Sequence, residues 1–313
     1  MLGKLMTTAA LVTGSLAFDL APASSQTPPV ATFKSSVDLV RISAVVRDRK
    51  GRFVQDLSPR DFEVFDAGRP RAITDVGRDI AGISVALLFD VSGSMEARLP
   101  SAREAAMHVL SRLDGEKDEA AVFTFDTRLD EVAPFATGRR ALPASMSSVV
   151  PFGATSLYDA IARTAERAGK REGRRRAVVV LTDGNDNASR LSAGEVSGIA
   201  SGIDVPVYIF GIVPSIDNPS ADIATAGNRS PLAGPLSDLS AWTGGHVVVA
   251  STPGQRSVAA HQIVDELRHQ YLIAFESSGT PGWHPLVVRA RGKELTVRAR
   301  SGYIAGPSHP NSD

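Results

Sequence analysis

Val85-Ala86-Leu87-Leu88-Phe89-Asp90-Val91-Ser92-Gly93-Ser94-Met95 is the stretch that decides how the chain is read. Its first five residues are an unbroken apolar run, the pattern of a strand buried on both faces, as in a parallel sheet. The run stops at Asp90, and from there oxygen-bearing side chains alternate: Asp90, Ser92, Ser94. Gly93 is expected to let the backbone turn tightly, so that the three oxygens converge. Oxygen-only ligands suit a hard cation such as Mg²⁺.

Downstream of this stretch, apolar strands alternate with helical periods. Residues 97–113 have helical spacing, with Leu99, Ala102, Ala106 and Leu110 near one face. Buried strands are expected at 120–125, 177–182, 205–212 and 246–249, and helices at 156–168, 193–201, 236–242 and 258–270. This order predicts an α/β, Rossmann-like architecture, a mostly parallel central sheet covered on both faces. Residues 214–235 break the rhythm and read as a long loop.

The two ends of the chain read differently. Short strands are expected at 37–46, 53–54, 62–65 and 72–76, and again at 271–275, 285–290 and 295–299, with turns and no helix between them. The ends therefore pair into a small flanking β-sandwich, with the α/β domain inserted between its strands. The expected organisation is a signal peptide at 1–25, a linker at 26–36, the first sandwich part at 37–79, the α/β domain at 80–270, the second sandwich part at 271–305, and a disordered tail at 306–313.

The chain has 313 residues, enough for two domains, and 34 basic against 34 acidic side chains. A zero net charge argues against nucleic acid as a partner. There is no cysteine, which excludes disulfides, thiolate chemistry and a lipoprotein anchor. Lys4, a moderately apolar run to Ala17 and then small residues read as an export signal, giving a periplasmic or extracellular protein. No later run is long enough for a transmembrane segment.

Two other loops complement Asp90, Ser92 and Ser94. Thr155, in Gly153-Ala154-Thr155-Ser156-Leu157, opens a helix, and Asp183, in Thr182-Asp183-Gly184, follows a buried strand. Both belong at the carboxyl edge of a parallel sheet, where open α/β folds place their sites. Asp90, Ser92, Ser94, Thr155 and Asp183 together offer two carboxylates and three hydroxyls. That set barely neutralises a divalent ion, which stays electrophilic toward an acidic group at an open position.

These three segments, in this order and spacing, resemble the metal-ion-dependent adhesion site (MIDAS) of von Willebrand factor A (VWFA) domains. The resemblance covers about residues 80–270, and one departure is Ala154, where many relatives have Gly. The flanks, including Asp61-Phe62-Glu63-Val64-Phe65-Asp66 and Ala299-Arg300-Ser301-Gly302-Tyr303, are similar to bacterial VWFA-related proteins found widely in Acidobacteria. The resemblance implies bound Mg²⁺ or Mn²⁺ and a protein partner that supplies Asp or Glu to the metal. It gives a protein-binding, adhesion-type module and no enzyme. In integrin relatives the last helix moves on binding; here it leads into the sandwich, which would couple ligand capture to the angle between domains.

Other signals carry less. Asp183–Asn187 is faintly like a calcium loop, but Gly194 stands where a bidentate Glu is needed. Glu96 reads as a first-turn helix carboxylate. Residues 170–176 are strongly basic and read as a solvated loop. The histidines lack metal-ligand spacing, and Trp242 and Trp283 read as packing residues. The alternatives to adhesion are a metal-independent scaffold subunit of an envelope assembly and a metal-dependent hydrolase, for which no general base accompanies the metal groups. A lysine or arginine plugging the pocket would remove the binding reading.

Overall fold

The structure, a computed structural model, describes residues 39–78, 82–214, 232, 234–292 and 294–305. The expected signal peptide, linker and tail, and most of the loop at 214–235, lie outside the described residues. Four strands come first: β1 (Leu39–Arg47), β2 (Phe62–Asp66), β3 (Arg69–Arg71) and β4 (Ile73–Gly77). The α/β run follows as β5 (Ile83–Asp90), α1 (Leu99–Arg112), β6 (Glu119–Phe125), β7 (Leu129–Thr137), α2 (Leu157–Gly169), β8 (Arg175–Thr182), α3 (Ala193–Gly202), β9 (Val207–Ile212), α4 (Pro235–Trp242), β10 (Val247–Ala250) and α5 (Pro253–Arg268). The chain closes with β11 (Tyr271–Glu276), β12 (Gly282–Ala290), β13 (Thr296–Ala299) and β14 (Gly302–Ala305).

The central sheet has the order β10-β9-β8-β5-β6-β7 and is parallel except for β7. All eight residues of β5 are buried. Ile83, Val85, Leu87 and Phe89 face a core shared with α1 and α5. Ala86 and Leu88 face the opposite core, shared with α2, α3 and α4. Each large side chain buried this way contributes about 1.5–3 kcal/mol, which is why the central strand is a continuous apolar run.

The sequence reading missed β7, whose residues Leu129–Thr137 mix charges with Pro134. It is an edge strand paired antiparallel to β6 with two register shifts, and an edge is where a strand tolerates proline. Phe53 makes an isolated bridge to Arg47 and not a strand. Helix α5 starts five residues before its expected position: Thr252 caps it, accepting from Gln255 N at 3.3 Å while the Gln255 side chain accepts from Thr252 N at 3.1 Å.

Two antiparallel sheets flank the central one, with orders β13-β1-β11-β4 and β14-β12-β2-β3. Both mix N-terminal and C-terminal strands, and they share a core of Ile42, Val64, Ile273, Phe275, Leu286 and Tyr303. Helix α5 delivers the chain into β11, and near its end Glu266 is buried. Arg47 of β1 lies 2.8 Å from Glu266, Arg298 of β13 bonds its other oxygen, and His246 is 3.3 Å away. Burial alone would raise this carboxyl, but His246 and Arg298 outweigh it and hold the group well below the ordinary carboxylate range.

Two minor readings are corrected. The basic run is a solvated loop only in part: Lys170, Glu172 and Gly173 are exposed before the strand, but Arg175 and Arg176 belong to β8, Arg176 donates to Gly169 O at 2.6 Å, and Arg171 forks onto buried Glu119 at 2.7 and 2.8 Å. Trp242 and Trp283 are not packed away. They are 42% and 46% exposed, and they line an open cleft of about 360 Å³ with Gly198 and Ser301.

Candidate metal centre

From β5 the chain passes to β6 on one side of the sheet, and β8 lies on the other. The crevice between the carboxyl ends of β5 and β8 is thus the topological switch point of the sheet. Asp90 ends β5, and Asp183 directly follows β8. Asp90 is fully buried. Its Oδ1 accepts from Ser92 N at 3.0 Å and Ser92 Oγ at 2.6 Å, and its Oδ2 accepts from Thr182 Oγ1 at 2.6 Å. Ser92 Oγ lies 3.3 Å from Ser94 Oγ, and Ser94 is exposed.

The third loop is stitched to the first by its backbone: Phe152 N donates to Val91 O at 2.9 Å, and Gly93 N donates to Gly153 O at 3.1 Å. Thr155 is buried, and its N–H donates to Asn187 Oδ1 at 2.8 Å, while Thr155 O accepts from Asn187 N. The Thr155 hydroxyl has no hydrogen-bond partner among the described residues. The structure therefore gathers the loops that carry all five groups. Direct hydrogen bonds join Asp90, Ser92 and Ser94; Thr155 and Asp183 stand on the two neighbouring loops.

Glycine is required where the sequence reading did not ask for it. Gly93 does not have positive φ, and a Cβ there would meet Gly153 O at an ordinary 3.5 Å. Gly153 at φ +85° and Gly184 at φ +91° are the left-handed positions that turn the other two loops toward the crevice.

The loop after β8 does more than carry Asp183. Asp186 Oδ1 accepts from Leu157 N at 2.8 Å and Ser189 Oγ accepts from Tyr158 N at 3.0 Å, so this loop caps α2. These bonds account for Asp186 and Asn187 without a calcium loop. Glu96 is exposed, one residue past a short 3₁₀ turn (Gly93–Met95), and not in the first turn of α1.

Electrostatics separates the two carboxylates. Desolvation pushes Asp90 up to about 6, against the hydrogen bonds from Ser92 and Thr182 and with the Asp183 charge adding to the rise. Asp183 has a cationic neighbour that sequence reasoning missed: Arg98 Nη1 lies 3.1 Å from Asp183 Oδ2 and donates to Ser94 O at 2.6 Å. Spacing could place Arg98 near Ser94, four residues earlier, but nothing local points it at Asp183. An arginine is thus at the pocket, the circumstance expected to remove the binding reading. It bonds neither Asp90, Ser92 nor Thr155, and its side chain is 29% exposed, so it borders the oxygen cluster without filling it.

The donor set fits a hard divalent cation. All five groups are oxygens, and Asp90 carries a buried charge opposite no basic side chain. Among the described residues no three His, Cys, Asp or Glu gather, as expected where three of five groups are hydroxyls.

The family model for the von Willebrand factor type A domain matches residues 85–185, which include all five groups. No curated protein matches the chain significantly. Among solved structures, a von Willebrand factor type A protein from Catenulispora acidiphila is 13% identical over 88% of this chain and 76% of its own, with a TM-score of 0.48. An aerotolerance-related membrane protein from Bacteroides fragilis is 19% identical over 59% of this chain and 98% of its own, with a TM-score of 0.47. Proximal thread matrix protein 1 from the mussel byssus, with a zinc-occupied MIDAS motif, is 20% identical over 65% of this chain and 50% of its own, with a TM-score of 0.43. The matched segment runs from β5 to the loop after β8, so the part of the chain that carries the five oxygen groups is the part similar to a von Willebrand factor type A domain.

Proposed function

We propose that the chain is a protein-interaction module that holds a divalent cation, Mg²⁺ or Mn²⁺, through Asp90, Ser92, Ser94, Thr155 and Asp183, and uses it to engage an acidic side chain of a partner protein. One observation carries the reading. Six carboxylates are buried among the described residues: Asp66, Asp90, Asp118, Glu119, Asp183 and Glu266. Asp66, Asp118, Glu119, Asp183 and Glu266 each pair with an arginine. Asp90 alone has no cationic partner, and an uncompensated buried carboxylate is costly unless a cation joins it.

When bound, the ion supplies positive charge at the crevice. The chain's own residues orient it: Thr182 and Ser92 fix the Asp90 carboxylate, and Asn187 fixes the Thr155 backbone. Phe152, whose N–H bonds Val91 O one residue past Asp90, is 81% exposed and suits an apolar residue flanking a partner's carboxylate. The reading includes export, which rests on residues 1–25 alone. No described helix is long and apolar enough to cross a membrane.

The test is thermal unfolding with Mn²⁺, Mg²⁺ or chelator, followed by affinity capture from an envelope extract under the same conditions. A ligand that binds only the native state must stabilise it. The expected result is an ion-dependent rise in Tm and ion-dependent capture, both lost in Asp90→Ala. Capture that persists in chelator and in Asp90→Ala supports a metal-independent scaffold instead. Turnover that depends on Mg²⁺ and Asp183 supports a hydrolase.

A further inference from the structure

We infer that Arg98 is a built-in competitor of the ion, which holds Asp183 until a partner's carboxylate arrives and so makes ion binding and carboxylate binding cooperative. The inference rests on the metal reading above and adds how the site is regulated. Arg98 stands at the N-cap position of α1 without capping it, three residues past the turn Gly93–Met95 that carries Ser94. One nitrogen, Nη1, makes both of its hydrogen bonds, to Asp183 Oδ2 and to Ser94 O. Its Nε is buried with no partner. Guanidinium has five N–H donors in a planar fork built for a bidentate carboxylate, so Arg98 is held here by only part of what it offers.

The charges give the consequence. Asp90 and Asp183 carry two negative charges and Arg98 one positive. A divalent ion therefore enters a site of net charge −1, and it must share Asp183 with a guanidinium or displace it. Either course weakens ion binding by the protein alone. Arg98 is 29% exposed and can turn outward. A partner's carboxylate arriving at the crevice meets two cations, the ion and the freed guanidinium, and restores a partner to Arg98. Each ligand thus removes part of the cost of the other, and by linkage the coupling is equal in both directions. Among the described residues five of the six buried carboxylates meet an arginine, but only at Asp183 does that arginine lie on a proposed metal ligand.

The experiment is isothermal titration of MnCl₂ into the full chain and into Arg98→Gln, Arg98→Lys and Asp90→Asn, with acetate as the carboxylate probe and NaCl at equal ionic strength as its control. Circular dichroism confirms that each variant is folded. In the NaCl control, Arg98→Gln is expected to bind Mn²⁺ more tightly than wild type, on the order of threefold to tenfold for one partly exposed ion pair. Acetate is expected to tighten Mn²⁺ binding to wild type and to do so less in Arg98→Gln, where the ion alone receives it. Arg98→Lys keeps the charge without the fork, so its Mn²⁺ affinity stays near wild type and the acetate effect shrinks. Equal Mn²⁺ affinity in wild type and Arg98→Gln, or an equal acetate effect in both, overturns this inference and leaves the metal reading standing. Absence of Mn²⁺ binding in wild type and both Arg98 variants overturns both.

Discussion

Asp90 and Glu266 are both buried carboxylates, and the protein treats them in opposite ways. Glu266, on α5, is surrounded by Arg47, Arg298 and His246, and its carboxyl is held far down. Asp90, at the end of β5, is given hydroxyl and amide donors only, and burial pushes it up to about 6. Glu266 is complete as it stands and ties α5 to two strands of the flanking sheet. Asp90 is oriented but not neutralised. The contrast separates a carboxylate that serves the fold from one that serves a ligand, and it does so from partners alone.

Breaking the completed cluster should have the largest effect. Glu266→Gln strands Arg47, Arg298 and His246 around a neutral group, and removing one partner of a buried pair costs about 3 kcal/mol. Urea unfolding at neutral pH measures it. The pH dependence has a fixed sign. The folded carboxyl sits below its ordinary 4.5, so its contribution is present above that value and lost as pH falls. Wild type should lose more stability than Glu266→Gln between neutral pH and the acid limb. If the two acid limbs superpose, Glu266 is not the compensated group of the pair.

The donors that orient Asp90 come next. Thr182→Val keeps the shape of the side chain but removes the 2.6 Å bond to Asp90 Oδ2. A hydrogen bond to a charged group is worth about 1.5–3 kcal/mol, and the lower end is expected because Ser92 still serves the other oxygen. Gly153→Ala tests the backbone that brings Thr155 in. At φ +85° a Cβ costs about 1 kcal/mol with no clash to add to it, and Mn²⁺ affinity should fall with stability. Chemical denaturation with Mn²⁺ titration reads both variants.

The pair also shows what a sequence can and cannot reveal. The loop positions of Asp90, Ser92, Ser94, Thr155 and Asp183 were legible because Asp90 ends one buried strand, Asp183 follows another and Thr155 precedes a helix, and parallel strands bring such positions to one edge. Arg98 was not, because nothing local says that a helix-start arginine folds back onto another loop. Glu266 was not, because its partners come from β1, β13 and the residue before β10. In the fold, the apolar strands were legible and β7 was not, since an edge strand needs no apolar run. The start of α5 was readable in Thr252-Pro253-Gly254-Gln255, a capping signature that the polar first turn obscures.

The smallest stability change is expected at Asp90 itself, and its sign divides the two readings of that residue. In chelator, Asp90→Asn removes a buried charge that has no counter-ion but spoils the bonds from Ser92 or Thr182, because an amide nitrogen cannot accept them. The two changes offset, leaving a net difference within about 1 kcal/mol of wild type. In Mn²⁺ the wild type should rise in Tm and Asp90→Asn should not, so a gap opens only when the ion is present. A structural carboxylate behaves the other way, with a large loss in chelator and none specific to the ion, as expected for Glu266. If Asp90→Asn in chelator falls as far as Glu266→Gln, then Asp90 belongs to the scaffold and its lack of an arginine has another cause. If the gap appears only with the ion, the missing partner of Asp90 is the cation.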